Sequence, residues 1–140
     1  MGIELSVNEF SLAQQSGLAK PIIYCCSCGQ VEKEAVSISV ALTKELKELR
    51  PSRRTMQLEK CFCKIISELP DHATIKDIDV MFNPVYAVDI MTLLITAYKK
   101  KPFSIIWPGT HSAGKLIYAE EGCPDYKVYN ISDYDVTCIV

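Results

Sequence analysis

The chain has 140 residues, a formal net charge of −2, 49% hydrophobic and 23% charged residues. That is the balance of a folded globular domain, and global charge gives no support to nucleic-acid binding. One domain of this length buries a core without disulfides or a structural metal; no apolar run nears the roughly 20 residues that span a bilayer, and MGIELSVNEF holds no basic residue, so neither a membrane anchor nor an export leader is expected.

In chain order, residues 1–20 read as a lead-in, with weak helical spacing in EFSLAQQSGLA before Lys20-Pro21. PIIYCC has the bulk and apolarity of a buried strand. From Glu32 to Leu49 the residues Ala35, Val36, Ile38, Val40, Leu42, Leu46 and Leu49 recur at broadly helical spacing, and ALTKELKELR is rich in helix formers, which predicts one long helix. Pro51 breaks it, because a residue preceding proline avoids the helical region. Thr55 is the expected cap of the next helix, MQLEKCFCKIISEL, whose apolar face is Leu58, Phe62, Ile65, Ile66 and Leu69.

ATIKDIDVMFNP reads as a strand with acids near its carboxyl end, and Asn83-Pro84 as a turn. Val85 to Tyr98 predicts a helix with the stripe Ala87, Ile90, Met91, Leu94, Ile95 and Tyr98, and Lys99, Lys100 and Lys101 suit the negative end of its dipole. PFSIIWPG is a second buried strand. KLIYAEEG and YKVYNIS read as short strands around a Gly-Cys-Pro turn, and DVTCIV as a closing strand. This order predicts a single α/β domain over 1–140, a mostly parallel sheet flanked by helices, with a short β extension at 110–140.

Ligands of such sheets gather where strand carboxyl ends meet helix N-termini. The bend from Ser27 to Glu32 lies there, and Gly29, Gln30 and Lys33 are its candidate phosphate contacts. With Lys33 as the lysine of G-x-x-x-x-G-K-[ST], the glycine places fall on Ser27 and Glu32 and the hydroxyl place on Glu34. The glycines let backbone touch phosphate at positive φ, where a Cβ costs about 1–2 kcal/mol. A carboxylate about 4 Å from a phosphate oxygen costs on the order of 4 kcal/mol at an effective dielectric near 20, or about three powers of ten in affinity. A magnesium ion between the groups would reverse that sign. For an unassisted phosphate the residues therefore predict weak or absent nucleotide binding in the usual pose, with ATP and magnesium left as a candidate cofactor, and a plain strand-to-helix turn with a solvated Lys33 stays open beside that reading.

The second half carries a family likeness. Ile78, Asp79, Phe82, Asn83 and Pro84, then Trp107-Pro108-Gly109, then Tyr118, Ala119, Gly122, Pro124, Tyr126 and Tyr129 resemble the BrxF family, the small P-loop protein of type 3 bacteriophage-exclusion (BREX) systems. The likeness spans most of the chain from Ile22 to Tyr129. It implies a P-loop NTPase-like fold and a role in phage defence beside a larger ATPase, a methyltransferase and a phosphatase-like protein. The chain departs from the family at the glycine-rich loop. It also departs at the strand-end aspartate, whose place falls on Lys76 and leaves Asp77 and Asp79 as displaced candidates. Three readings follow: a decayed, non-catalytic subunit, an ATPase using Lys33 with Asp77 or Asp79, and a plain interaction module.

Other constellations are less pointed. The seven cysteines, Cys25, Cys26, Cys28, Cys61, Cys63, Cys123 and Cys138, are odd in number and sit mostly in core-like segments, which predicts reduced thiols in a cytoplasm. C-C-x-C lacks the spacing by which two sulfurs reach one zinc, so no metal site is expected. Arg50, Arg53, Arg54, Lys60 and Lys64 form a basic patch that either is a solvated face balanced by Glu45, Glu48 and Glu59 or reaches a neighbouring subunit or a nucleic-acid backbone. His111 follows a strand's carboxyl end and could make a loop contact, His72 sits at a turn, and Trp107 reads as a packing anchor. Glu120, Glu121, Asp125, Asp133 and Asp135 are expected to be exposed, available to a basic partner.

Overall fold

The structure, a computed structural model, describes residues 2–6, 21–25, 33–86 and 88–140. Its elements are β1 (Ile3–Leu5), β2 (Ile22–Tyr24), β3 (Val36–Ser37), α1 (Ser39–Lys47), α2 (Pro51–Ser67), β4 (Thr74–Lys76), α3 (Ile90–Lys100), β5 (Ser104–Ile106), β6 (Thr110–Ser112), β7 (Lys115–Tyr118), β8 (Lys127–Asn130) and β9 (Thr137–Ile139), with 3-10 turns at Ile78–Phe82 and Ile131–Asp133. Six strands form one sheet in the order β1-β9-β2-β5-β4-β3, and every pairing in it is parallel. β6, β7 and β8 form a separate antiparallel sheet.

The register explains why such short strands hold. Val36, Ile75, Ile105, Ile23, Cys138 and Glu4 stand side by side in one row across the sheet. The four inner members of that row are fully buried, and only the edge residues reach solvent. A parallel sheet covered on both faces needs this kind of β-branched centre. Helix α2 contributes Leu58, Phe62, Ile65 and Ile66 to the core and α3 contributes Ile90, Met91, Leu93, Leu94 and Ala97. Phe62 meets Phe103, just before β5, edge to face at 5.5 Å.

Several expectations change. The long helix over 32–49 does not exist as one element: Lys33 and Glu34 are helical, Val36–Ser37 pairs with β4, and α1 starts only at Ser39. Val36, Ile38 and Val40 alternate with serines, so this stretch also carries the period of a strand, and pairing with β4 decides between the two. Thr55 does not cap α2; the helix begins at Pro51, whose missing N–H belongs among the unpaired donors of a first turn. The strand expected over 73–84 is cut to Thr74–Lys76, after which Asp77 adopts φ 60° and ψ 46° and the chain coils into a 3-10 turn. Helix α3 starts at Ile90, not Val85, because the Asp89 carboxylate accepts a hydrogen bond from the Thr92 N–H at 3.2 Å and caps it there. The segment 110–140 is no uniform extension, since β9 enters the main sheet between β1 and β2. EFSLAQQSGLA lies outside the described residues.

Candidate functional site

The chain leaves β2 for β3 at the far edge, returns through β4 and β5 to β2's side, then crosses to β9 on its other side. The connections from β2 and β5 thus diverge. Between their carboxyl ends lies the switch point where open α/β sheets hold ligands. Backbone bonds fix that place on both flanks: the Trp107 N–H donates to the Tyr24 carbonyl at 2.9 Å and the Cys25 N–H to the Ile139 carbonyl at 2.8 Å.

Of the candidate phosphate contacts, Gly29 and Gln30 lie outside the described residues, whereas Lys33 is exposed on helical backbone with exposed Glu34 beside it. Asp77 is exposed just past the end of β4 in the left-handed region, which aspartate tolerates better than most residues. Asp79 is committed elsewhere: its Oδ2 accepts the Tyr118 hydroxyl at 2.9 Å. Among the described residues no ion pair joins Lys33 to either acid. On the described residues, the side chain that follows Lys33 is the carboxylate of Glu34 where a phosphate loop has a hydroxyl, and one Asp79 carboxylate oxygen is hydrogen-bonded to a phenol.

Phe82, Trp107, Tyr118 and Tyr129 meet in one aromatic ladder, which Tyr134 extends. Tyr118 stacks on Phe82 at 3.9 Å with the rings 10° apart, Phe82 meets Trp107 edge to face at 5.6 Å, Trp107 meets Tyr129 at 6.3 Å, and Tyr129 meets Tyr134 at 5.8 Å. Both ends are tied to acids, Tyr118 to Asp79 and Tyr134 to the Asp89 Oδ2 at 3.1 Å. Burial, then the Asp79 bond and charge, push the Tyr118 phenol far above its usual range. Burial, then Asp89, push Tyr134 up to about 12. The Trp107 indole N–H points at the Thr110 and Ile117 carbonyls, each at 3.1 Å, so it binds the start of the small sheet to the end of β5. The ladder is thus an architectural joint between the two sheets, set beside the switch point.

Two members of the basic patch, Arg54 and Lys64, contact α1 and the turn after it, while Arg50, Arg53 and Lys60 are exposed. Arg54 Nε donates to the Leu46 and Leu49 carbonyls at the end of α1, and Lys64 pairs with Glu45 at 2.9 Å. Lys101 donates to the Leu69 and Ser67 carbonyls past the end of α2. His111 Nε2 meets Glu4 Oε2 at 2.9 Å, joining β6 to the edge strand β1, while His72 is exposed at its turn with φ 57°. Cys61 and Cys63 lie on α2 with thiols pushed up mainly by burial, and no group of three metal-ligating side chains forms among the described residues. Sequence reasoning missed that Cys138 stands opposite Ile23, a pairing that depends on β9 lying beside β2; the Cys25 thiol donates to the Ile23 carbonyl at 3.9 Å. No described helix is long and apolar enough to cross a membrane. No family model matches the chain, and neither a curated protein nor a solved structure matches it.

Proposed function

We propose that the protein is a small P-loop-like subunit of a bacterial phage-defence system of the bacteriophage-exclusion kind, with a degenerate phosphate loop. It acts by assembling with other defence proteins in the cytoplasm and binds nucleotide weakly or not at all. The observation that carries this reading is the position of β2. It is an interior strand flanked by β5 and β9, and its carboxyl end opens onto the switch point where a phosphate loop would work. In the sequence Glu32 and Glu34 flank Lys33, and acids at those places of a phosphate loop oppose an anionic ligand. The likeness of the Trp107-Pro108-Gly109 and Tyr118 to Tyr129 residues to the BrxF family supplies the phage-defence context.

Calorimetric titration with magnesium-ATP tests the nucleotide part. A dissociation constant of about 1 mM or weaker is expected, against the −8 kcal/mol or so that micromolar binding represents. Micromolar affinity accompanied by hydrolysis that Lys33→Ala abolishes would instead establish the ATPase reading. Co-purification with neighbouring defence proteins, unchanged in Lys33→Ala, is the expected result for an assembling subunit.

A further inference from the structure

A groove of about 450 Å³ runs between α2 and α3, with Lys60, Lys64, Lys100 and Lys101 along it and Cys63 and Ala97 at its base. Among the described residues no acid lines it. Two of the lysines are already engaged: Lys64 pairs with Glu45, and Lys101 donates to the Ser67 and Leu69 carbonyls. Lys60 and Lys100 are exposed and make no ion pair among the described residues. A helix dipole accounts for Lys100 at the end of α3. It does not account for Lys60, which lies about two turns before the end of α2, because the dipole's pull fades within the last turn.

The opposite chemistry is built into the connection from β7 to β8. Ala119 (φ 64°) and Gly122 (φ 95°) both take left-handed backbone. The Cys123 N–H donates to the Glu120 carbonyl at 3.0 Å and the Tyr126 N–H to the Cys123 carbonyl at 3.1 Å, so two consecutive turns make a compact hook. Glu120 and Glu121 are exposed on it and form no ion pair among the described residues, while Pro124 and Tyr126 add exposed apolar surface. Backbone hydrogen bonds set this shape in advance, so docking it orders little further chain.

We propose that the hook over residues 119–126 of one copy docks in the α2–α3 groove of a second copy of this chain. Glu120 and Glu121 meet Lys60 and Lys100, and Pro124 and Tyr126 cover Cys63 and the aliphatic stems of the lysines. The two surfaces are different patches of the same chain, so the contact is head to tail and either closes into a ring or extends as a filament. The hook suits this groove better than a nucleic-acid backbone does. A run of phosphates offers nothing to cover Cys63 and the lysine stems, and the chain's net charge of −2 repels such a polymer. The contact requires neither a nucleotide nor the phage-defence reading.

Sedimentation velocity of the full chain tests the assignment. At about 0.1 M salt, where charges act across about 10 Å, the expected result is association that rises with protein concentration; at about 1 M, where that reach falls to about 3 Å, the expected result is monomer. Reversing the groove, Lys60→Glu/Lys100→Glu, or the hook, Glu120→Lys/Glu121→Lys, is expected to weaken self-association on the order of 100-fold. Mixed in equal amounts the two variants associate again, because the native hook of the first meets the native groove of the second and the two reversed faces meet each other. Circular dichroism checks that each variant keeps its fold. The unsubstituted protein decides the matter without any variant: in a mixture of isotope-labelled and unlabelled copies, carbodiimide is expected to join Glu120 or Glu121 of one copy to Lys60 or Lys100 of the other. A chain that stays monomeric at low salt, including one whose lysines retain labelled DNA instead, would overturn the proposal. So would association that survives both reversals, a mixture of folded variants that fails to associate, or an associating protein without that cross-link.

Discussion

A methyl group at Gly109 would stand 1.9 Å from the Ile117 carbonyl oxygen and 3.0 Å from the Trp107 indole nitrogen. That carbonyl is one of the two that the indole N–H holds, so the missing side chain and the tryptophan are parts of one contact. Gly109→Ala is expected to lower stability by about 3 kcal/mol, as overpacking against backbone does; urea denaturation monitored by tryptophan fluorescence measures it. Trp107→Phe keeps most of the ring packing against Phe82 and Tyr129 but leaves the carbonyls without their donor, at an expected cost of about 1–3 kcal/mol, read by urea denaturation followed by circular dichroism because Trp107 is the chain's single tryptophan. The Trp-Pro-Gly triplet was legible in the sequence as a packing anchor. Its role as donor to the next strand was not, because the Ile117 acceptor is ten residues away and is brought close only by the turn into β6 and β7.

The helices are fixed at their ends by side chains from elsewhere in the chain. Asp89 caps α3 with one carboxylate oxygen and accepts the Tyr134 hydroxyl with the other. Asp89→Ala should therefore cost about 1–2 kcal/mol and free Tyr134 to ionise at lower pH, read by denaturation and by phenolate absorbance. Arg54→Met retains the aliphatic stem but removes the donor to the end of α1, for an expected loss of about 1 kcal/mol. Apolar periodicity located α2 and most of α3. It failed between Val36 and Val40, where helical and strand spacing coincide and a contact with β4 settles the outcome. Boundaries set by Pro51 and Asp89 were missed because Thr55 and Val85 offered competing signals of the same local kind.

Across the whole molecule, alkaline pH should act through the tyrosines that end the aromatic ladder. Tyr134 is pushed up to about 12, chiefly by burial and then by Asp89, against about 10 in an unfolded chain. Below pH ~10 both states keep the proton; above it the unfolded chain releases the proton first, so stability is intact to that point and falls as pH rises through about 12. Tyr134→Phe should show a smaller drop in urea midpoint between pH 9 and 11 than the unsubstituted protein. The parallel α/β class was legible from the alternation of apolar strands and helices. The strand order was not, since β2 pairs with residues 104–106 and 137–139, and no local pattern encodes partners so far away. The candidate site shares that limit: Lys33 and the acids could be named from the loop, while the Tyr118 hydroxyl that occupies Asp79 comes from another sheet.

The placement of β9 between β1 and β2 also bears on how the chain is made. In chain order β5 comes before β9, so β2 can pair with β5 on one side while its other side waits for a strand that emerges later. Until Thr137–Ile139 emerge, the nascent chain displays an open row of amides and carbonyls on the strand that should become its centre, a surface for a chaperone to shield and for neighbouring nascent chains to seize.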